Sequence, residues 1–408
     1  MKTPEDSSHA NRRCVAAIGL ILTIATAAPS AAQQHEATSL TVYPQGLALV
    51  RAELDRSLAA GTHAVRIDGL PTSVEQASLI VLNPGTVLQG VRGYRTYEGG
   101  GNVGASLVVD IEIAERVETL RIAYLAGGVD WSASYTMQVA PDDESARIDG
   151  YASVSNGSGA RFADAELQLL AGDVNISSPR RAVFRAMDAV AAEAVSAPQE
   201  MLEEAFSGYH VYTASEALTL EPGELRRIRL LGGDGISVQK EYVSTGGVGS
   251  RQRQAEPQPV PVTVRYRVAR PMEAELGAVP LPAGTVRIYK PDDGGRLQLL
   301  GMSRVANTPA GQTLLLPVGR AFDITAVRSQ TGFRRIDNNE RESDWSLKLS
   351  NASDEEVTVQ VVERIGGDWR ILSSSHDPQI TSTASVRFDV TVPAAGEAEL
   401  LYSVSVRN

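Results

Sequence analysis

The feature that most constrains the fold of this chain is a period-two alternation of apolar, mostly β-branched residues with polar ones. Successive side chains of an extended strand point to opposite faces, so such a segment turns one face to a core and the other to water. The alternation recurs in segments 40–43, 64–67, 106–113, 263–268, 285–289, 356–362 and 386–392. Glycine-rich and proline-containing turn signals separate these segments. The pattern predicts an all-β protein made of tandem β-sandwich domains rather than a sheet of βαβ units.

Two segments lack this alternation and guide the division into domains. Residues 180–208 are rich in alanine, and we expect a partly helical or mobile excursion there. Residues 244–261 contain several glycines and three prolines, which predicts a linker-like loop. The chain exceeds the usual size of a single core. We predict an N-terminal β domain at 33–100, a central β domain at 101–330 that contains both segments, and a C-terminal immunoglobulin-like β-sandwich at 331–408.

The first 32 residues resemble a secretory signal peptide. Arg12 and Arg13 precede an apolar run at 15–28, and Ser30-Ala31-Ala32 supplies small residues before a cleavage site. The run is shorter than the roughly 20 residues that span a bilayer, although an uncleaved N-terminal anchor stays an alternative. We therefore expect cleavage near Ala32, a mature chain without a transmembrane segment, and a periplasmic or secreted bacterial protein.

Charge and cysteine content narrow the classes of partner and compartment. The net charge is −11, and removal of residues 1–32 takes away three basic and two acidic residues, which leaves −12. This balance disfavours nucleic acid, which binds to basic surfaces. The only cysteine, Cys14, is lost with the leader, and a cysteine-free exported chain fits a bacterial envelope. On that basis the sequons at Asn156, Asn175 and Asn351 are interpreted as chance matches to the N-glycosylation motif.

The residue types that carry out catalysis are sparse and scattered. The mature chain has four histidines, His35, His63, His210 and His376. The adjacent Ser375-His376-Asp377 is not a triad signature, because the members of a triad converge from separate elements. Three acidic loops are candidates for calcium, but surface solvation is the simpler interpretation, and none has EF-hand spacing: 142–144, 292–293 and 337–340. We assign no catalytic, cofactor-binding or metal-binding residue and expect no cofactor.

Several short motifs, in order, resemble one family of exported bacterial proteins. The motifs are Asp130-Trp131 with Tyr135, Ser155-Asn156-Gly157-Ser158-Gly159 followed by Ala165-Glu166-Leu167-Gln168-Leu169, the LPAGTVRIY segment at 281–289, Val318-Gly319-Arg320-Ala321-Phe322-Asp323, Leu349-Ser350-Asn351 and Leu401-Tyr402. Over residues 105–408 the chain resembles domain-of-unknown-function family 4139, some members of which are described as mucoidy-inhibitor-like. Residues 41–88 resemble a shortened form of its usual N-terminal companion domain. The family has no settled activity, so the resemblance bears on fold more than on function.

Two departures from the family pattern concern possible interaction features. Longer relatives carry a coiled-coil insert where this chain has only residues 99–102, and relatives often have tryptophan where this chain has Phe162. The residues by themselves favour a core position for Trp131 and Tyr135, since large aromatic side chains dominate burial.

Two functions from different classes follow from these features. The first is an exported, non-enzymatic β-sandwich protein of the bacterial envelope that binds a protein or glycan through its loops and sheet edges. The alternative is a periplasmic hydrolase that acts on an envelope or exopolysaccharide polymer, which the acidic loops and the mucoidy-inhibitor-like resemblance motivate.

Overall fold

The computed structural model describes residues 36–98, 101–175, 201–248 and 256–407. The predicted signal peptide and most of the predicted excursion at 180–208 therefore lie outside the described residues. In the part that is described, the chain is all-β, as the alternation predicts. The helical elements are one short helix, α1 (Glu275–Ala278), and a 3-10 turn (Gln76–Ser78). Within these residues no helix has the length and apolar character needed to cross a membrane.

The strands are, in chain order, β1 (Glu36–Tyr43), β2 (Leu47–Leu58), β3 (Gly61–Leu70), β4 (Ile80–Val81), β5 (Thr86–Glu98), β6 (Gly101–Ile113), β7 (Val117–Gly127), β8 (Val129–Val139), β9 (Ser145–Asn156), β10 (Phe162–Ala171), β11 (Met201–Phe206), β12 (Tyr209–Ala214), β13 (Leu218–Leu220), β14 (Leu225–Val248), β15 (Gln258–Val260), β16 (Val262–Val268), β17 (Gly284–Pro291), β18 (Leu297–Val305), β19 (Leu314–Arg320), β20 (Ile324–Arg335), β21 (Glu340–Asn351), β22 (Val357–Ile365), β23 (Asp368–Ser374), β24 (Gln379–Ser382), β25 (Ser385–Val392) and β26 (Gly396–Arg407). Six of the seven alternating segments named above lie wholly in a strand, and 356–362 does so except for Glu356, which confirms those predictions.

The strands of the described residues form four sheets. The first has the order β11-β12-β10-β1-β2-β7-β4, with β13 also paired to β10, and a small sheet has the order β3-β6-β5. The largest has the order β18-β17-β8-β9-β14-β22-β25-β24. In addition, β16 pairs with β14, and β19 pairs with β16. The last has the order β15-β20-β21-β26-β23.

The long strand β14 connects two hydrophobic cores. Its first part pairs with β9, and its last residues pair in parallel with β22. One core draws its buried side chains from between residues 40 and 316, and the other draws them from Val248, Val262 and residues 324–406. The expectation of a linker-like loop at 244–261 is wrong at both ends of the segment. Residues 244–248 end strand β14 and pair with β22, and β15 (Gln258–Val260) pairs with β20. The domain boundaries stay predictions.

Seven strands of the largest sheet close into a ring. The pairing runs β18-β17-β8-β9-β14-β16-β19, and β19 returns to the side of β18. At this closure the Ser303 hydroxyl donates to the Pro317 carbonyl, and a Cβ at Gly301 would collide with the Val318 carbonyl oxygen. Glycine at 301 therefore lets β18 and β19 approach closely enough to complete the ring.

Trp131 and Tyr135 both point into the first core, as predicted. They are 5% and 1% exposed, and alternate residues of β8 between and beyond them are also buried. The Trp131 indole nitrogen donates to the Leu170 carbonyl at 3.2 Å, and the Tyr135 hydroxyl donates to the Pro282 carbonyl at 2.7 Å. Both polar atoms are satisfied by backbone, which leaves these side chains a structural role.

Two strand-to-strand corners, one in each core, share the same hydrogen bonding. Asn156 ends β9 and Asn351 ends β21, and each is followed two residues later by a serine, Ser158 or Ser353. In both, the serine backbone N–H and hydroxyl donate to the asparagine Oδ1, and the asparagine amide donates to three backbone carbonyls. Two of the three sequons are therefore buried structural corners, and their interpretation as chance matches to the glycosylation motif stays a prediction.

Candidate functional site

The candidate site is a cleft at the end of the ring, where the ring meets the second core. It comprises two adjoining hollows of about 850 and 310 Å³, which share Lys240 and Tyr242. We call it the junction cleft. Its walls come from the β8–β9 turn, β14, β16 and β17 on the ring side, and from β22, β25 and the β19–β20 turn on the other. Clefts of this size between packed units are common positions for ligand sites.

Asp143 is the centre of the charged network in the junction cleft. Its carboxylate accepts a hydrogen bond from the Tyr266 hydroxyl at 2.6 Å, and the amines of Lys290 and Lys240 lie 2.8 and 3.4 Å from it. Asp143 has a φ of +61°, a left-handed conformation that costs energy for a non-glycine residue. This conformation turns the carboxylate of the β8–β9 turn toward side chains from three other strands.

The two lysines are notable because lysine is rare in this chain. The sequence contains four lysines among 38 basic residues, at 2, 240, 290 and 348. Two of the four converge on one carboxylate, from β14 and from β17. A lysine amine donates in three directions, so each of these side chains keeps hydrogen-bonding capacity for a second partner in the cleft.

The neighbouring charges hold this cluster in its ionised form. Burial alone raises the pKa of the Asp143 carboxyl, but hydrogen bonds from Lys290 and Tyr266 and the charge of Lys240 lower that pKa below its usual value. Burial lowers the pKa of Lys240, while Tyr242 and Asp143 raise it above its usual value overall. Burial and the adjacent carboxylate raise the pKa of the Tyr266 phenol. None of these shifts moves a group toward neutral pH, where general acid–base catalysis needs it.

A second carboxylate of the junction cleft is held in the same manner. Glu241 is 4% exposed, and the side-chain Nε atoms of Arg265 and Arg267 each lie 2.6 Å from one of its oxygens. Burial raises the pKa of Glu241, but the two guanidinium groups lower it below its usual value. The floor of the cleft is thus built from ion pairs that are already complete.

The rim of the smaller hollow presents groups with little protein contact. Phe322 is 94% exposed, and Arg320 and Asp323 beside it are also exposed. All three lie in the β19–β20 turn region that the sequence analysis singled out in Val318-Gly319-Arg320-Ala321-Phe322-Asp323. An exposed aromatic side chain next to a cation offers a ligand both an apolar face and a charge.

The histidines do not form a catalytic arrangement in the described residues, and His35 lies outside them. His63 Nε2 donates to the Ala59 carbonyl at 2.8 Å, and His210 Nδ1 lies 2.6 Å from the Glu203 carboxylate on the β11–β12 hairpin. His376 Nδ1 lies 2.9 Å from the hydroxyl of the adjacent Ser375, whose hydroxyl also accepts the Leu401 N–H. This local contact holds the β23–β24 connection to β26.

Of the three acidic loops, 142–144 supplies Asp143 to the junction cleft, whereas 292–293 and 337–340 have turn-capping aspartates. Asp292 accepts backbone N–H groups of Gly294 and Arg296, and Asp337 accepts those of Asn339 and Glu340. Such bonds are typical of aspartate in tight turns. In the described ranges no three or more histidine, cysteine or acidic side chains are grouped to hold a metal ion.

Sequence reasoning missed the junction cleft, although one signal for it was present. The rarity of lysine set Lys240 and Lys290 apart, but they are separated by fifty positions and by two strands of the ring. Only the register of β14 with β16 and of β17 with β8 brings them to the same end of the ring.

Comparison with known proteins adds no relative. No family model matches the sequence. No curated protein matches it either. The resemblance to domain-of-unknown-function family 4139 stays a prediction from the motifs quoted above.

Proposed function

We propose that this chain is exported to the bacterial envelope, where it binds a protein or glycan partner in the junction cleft without catalysing a reaction. The observation that carries the proposal is the convergence of Lys240 and Lys290 on Asp143 at the mouth of a cleft between two cores. The export part rests on the leader-like residues 1–32.

The charges of the cleft support binding over hydrolysis. A glycosidase-type general acid needs a carboxyl whose pKa is raised toward neutral pH. In the cleft, Asp143 and Glu241 have lowered pKa values because cations contact them. Carboxylates held ionised are preorganised hydrogen-bond acceptors, and the lysines beside them are donors. Such a surface complements a polar partner at little cost in rearrangement.

Variants of the two lysines test the proposal. Mature protein is immobilised and exposed to solubilised bacterial envelope extract, untreated, protease-treated or periodate-treated. Lys240→Met and Lys290→Met together remove both amines while keeping the apolar stems. Lys348→Met is the matched control, because Lys348 is exposed on β21, away from the cleft.

We expect the wild type and Lys348→Met to retain one partner that the double variant loses. Loss of that partner after protease identifies a protein, and loss after periodate identifies a glycan. Equal retention by the double variant, or no partner on the wild type, contradicts the assignment of the cleft. Turnover of an envelope polymer by the purified chain contradicts the non-enzymatic part.

A further inference from the structure

A second surface, on the outward face of the ring, has a different chemistry from the junction cleft. It is a groove of about 720 Å³ that crosses β18, β17, β8, β9 and β14. We call it the arginine groove. Its lining includes Arg227, Arg287 and Arg304, together with small hydroxyl residues such as Ser134 and Thr285. This lining contains three arginines and no carboxylate, in a chain whose net charge is −11.

The three arginines are free to bind a ligand. Arg227, Arg287 and Arg304 are exposed, and none forms an ion pair with a described residue. Sixteen described arginines contact a carboxylate directly, whereas none of these three does so. The carboxylate nearest in the strand register, Asp149, is already paired with Arg147 and Arg229 at 2.8 and 3.4 Å.

The strand register determines the shape of the groove. Arg304 lies opposite Thr285, which pairs with Ser134 on β8. Arg227 lies opposite Ser153, which pairs with Ser132. Small hydroxyl side chains therefore form the floor, and arginines stand at both margins. The arginines project from three different strands, β18, β17 and β14, so a ligand that carries several anionic groups can contact all of them.

Arg227 is oriented before any ligand arrives. Its guanidinium lies over the ring of Tyr151, 3.7 Å from the ring centroid. Stacking on an aromatic face limits the rotation of the guanidinium plane and leaves its N–H edges directed outward. A planar fork presented in this way matches the two oxygens of a carboxylate.

We propose that the arginine groove binds an anionic polysaccharide, with its carboxylates on the arginines and its sugar hydroxyls on the serine and threonine floor. The distribution of the arginines over three strands complements a ligand with repeated charges. The floor offers many short hydrogen-bonding groups and no deep apolar pocket, which suits sugar rings better than peptide side chains.

Titration calorimetry on the full mature chain tests this proposal. The probes are polygalacturonate as a carboxylated glycan, dextran as a neutral glycan and polyglutamate as a carboxylated peptide. We expect polygalacturonate to bind with an affinity that falls as NaCl rises, dextran not to bind, and polyglutamate to bind more weakly. Replacing Arg227, Arg287 and Arg304 by glutamine reduces the affinity at least about 100-fold, because each charge-assisted contact contributes about tenfold.

Two controls separate the groove from general charge and from folding. The control triple variant replaces Arg95, Arg335 and Arg364 by glutamine, since these arginines are exposed outside the groove. It removes the same charge, and we expect it to leave binding intact. The variant Ser134→Glu keeps all three arginines but adds a carboxylate to the floor, and it weakens binding about tenfold or more. The junction-cleft variant with Lys240→Met and Lys290→Met retains binding to polygalacturonate, so failure of the two proposals is distinguishable.

The proposal is overturned if polygalacturonate does not bind, or if the two arginine triples lose affinity equally. Equal affinity for polyglutamate and polygalacturonate overturns the assignment to a glycan. Unchanged binding by Ser134→Glu places the ligand outside the groove and overturns it as well.

Discussion

Replacing Asn156 by alanine is expected to destabilise the first core strongly, although the position matches a surface glycosylation sequon. Asn156 is 1% exposed. Its amide donates to the carbonyls of Ala160, Leu220 and Glu221 at 2.8, 3.2 and 3.1 Å. Its Oδ1 accepts the backbone N–H and the hydroxyl of Ser158 at 3.2 and 2.7 Å. The residue thereby ties the end of β9 to the turn that precedes β14.

The structure allows the size of the effect to be worked out. Alanine removes all five hydrogen bonds, and each intramolecular hydrogen bond contributes a net 0.5–1.5 kcal/mol or so. Because the five bonds share one side chain and are not independent, we expect a loss of about 3 to 5 kcal/mol in the free energy of unfolding. With a urea m-value of about 2.5 kcal/mol/M, that loss lowers the unfolding midpoint by about 1 to 2 M.

Urea unfolding at 25 °C measures this loss, with tryptophan fluorescence as the signal. Trp131 reports on the first core, and Trp345 reports on the second. Asn351→Ala is the matched variant in the second core, where the same five types of bond occur. The control is Asn175→Ala, since Asn175 has the same sequon but is exposed.

This reasoning is refuted if Asn156→Ala lowers the free energy of unfolding by less than about 1 kcal/mol, which is within the range of ordinary surface substitutions. A cost for Asn175→Ala as large as that for Asn156→Ala refutes it too, since the effect then does not come from the corner.

Three further predictions concern a buried ion pair, an ionisable cluster and the leader. The buried Arg328 guanidinium lies 3.0 and 3.1 Å from the two Glu363 oxygens, and Glu363→Gln removes this counter-charge. We expect thermal unfolding to show a loss of about 3 to 5 kcal/mol in the free energy of unfolding. The lowered pKa of Asp143 stabilises the folded chain above pH ~4, and this contribution is lost as the pH falls through the lowered pKa. The stability difference between wild type and Asp143→Asn is therefore expected to narrow below pH ~4 in unfolding titrations. Expression of the whole chain in a bacterium is expected to give a periplasmic or secreted product that mass spectrometry shows to begin at Gln33; a product that retains residues 1–32 contradicts the leader prediction.

The all-β fold class and many of the strands were predictable from the sequence, because the period of the side chains along a strand is a local property. The same local pattern placed Trp131 and Tyr135 on one buried face of β8. Local turn chemistry likewise explains why Asp292 caps the β17–β18 hairpin, since its partners are within four residues. The sequon at Asn156 was visible in the sequence, but its role depends on carbonyls near residue 220 that no local pattern indicates.

Tertiary structure alone decided which distant residues share a surface. Lys240 and Lys290 meet at Asp143, and Arg227 and Arg304 stand at the margins of one groove, because strands far apart in sequence pair in a particular register. A shift of one residue in any of these pairings would turn the side chains to the opposite face of the sheet. Alternation along each strand determines whether a side chain points inward or outward. The pairing order and the close approach at Gly301 that completes the ring determine which outward side chains become neighbours.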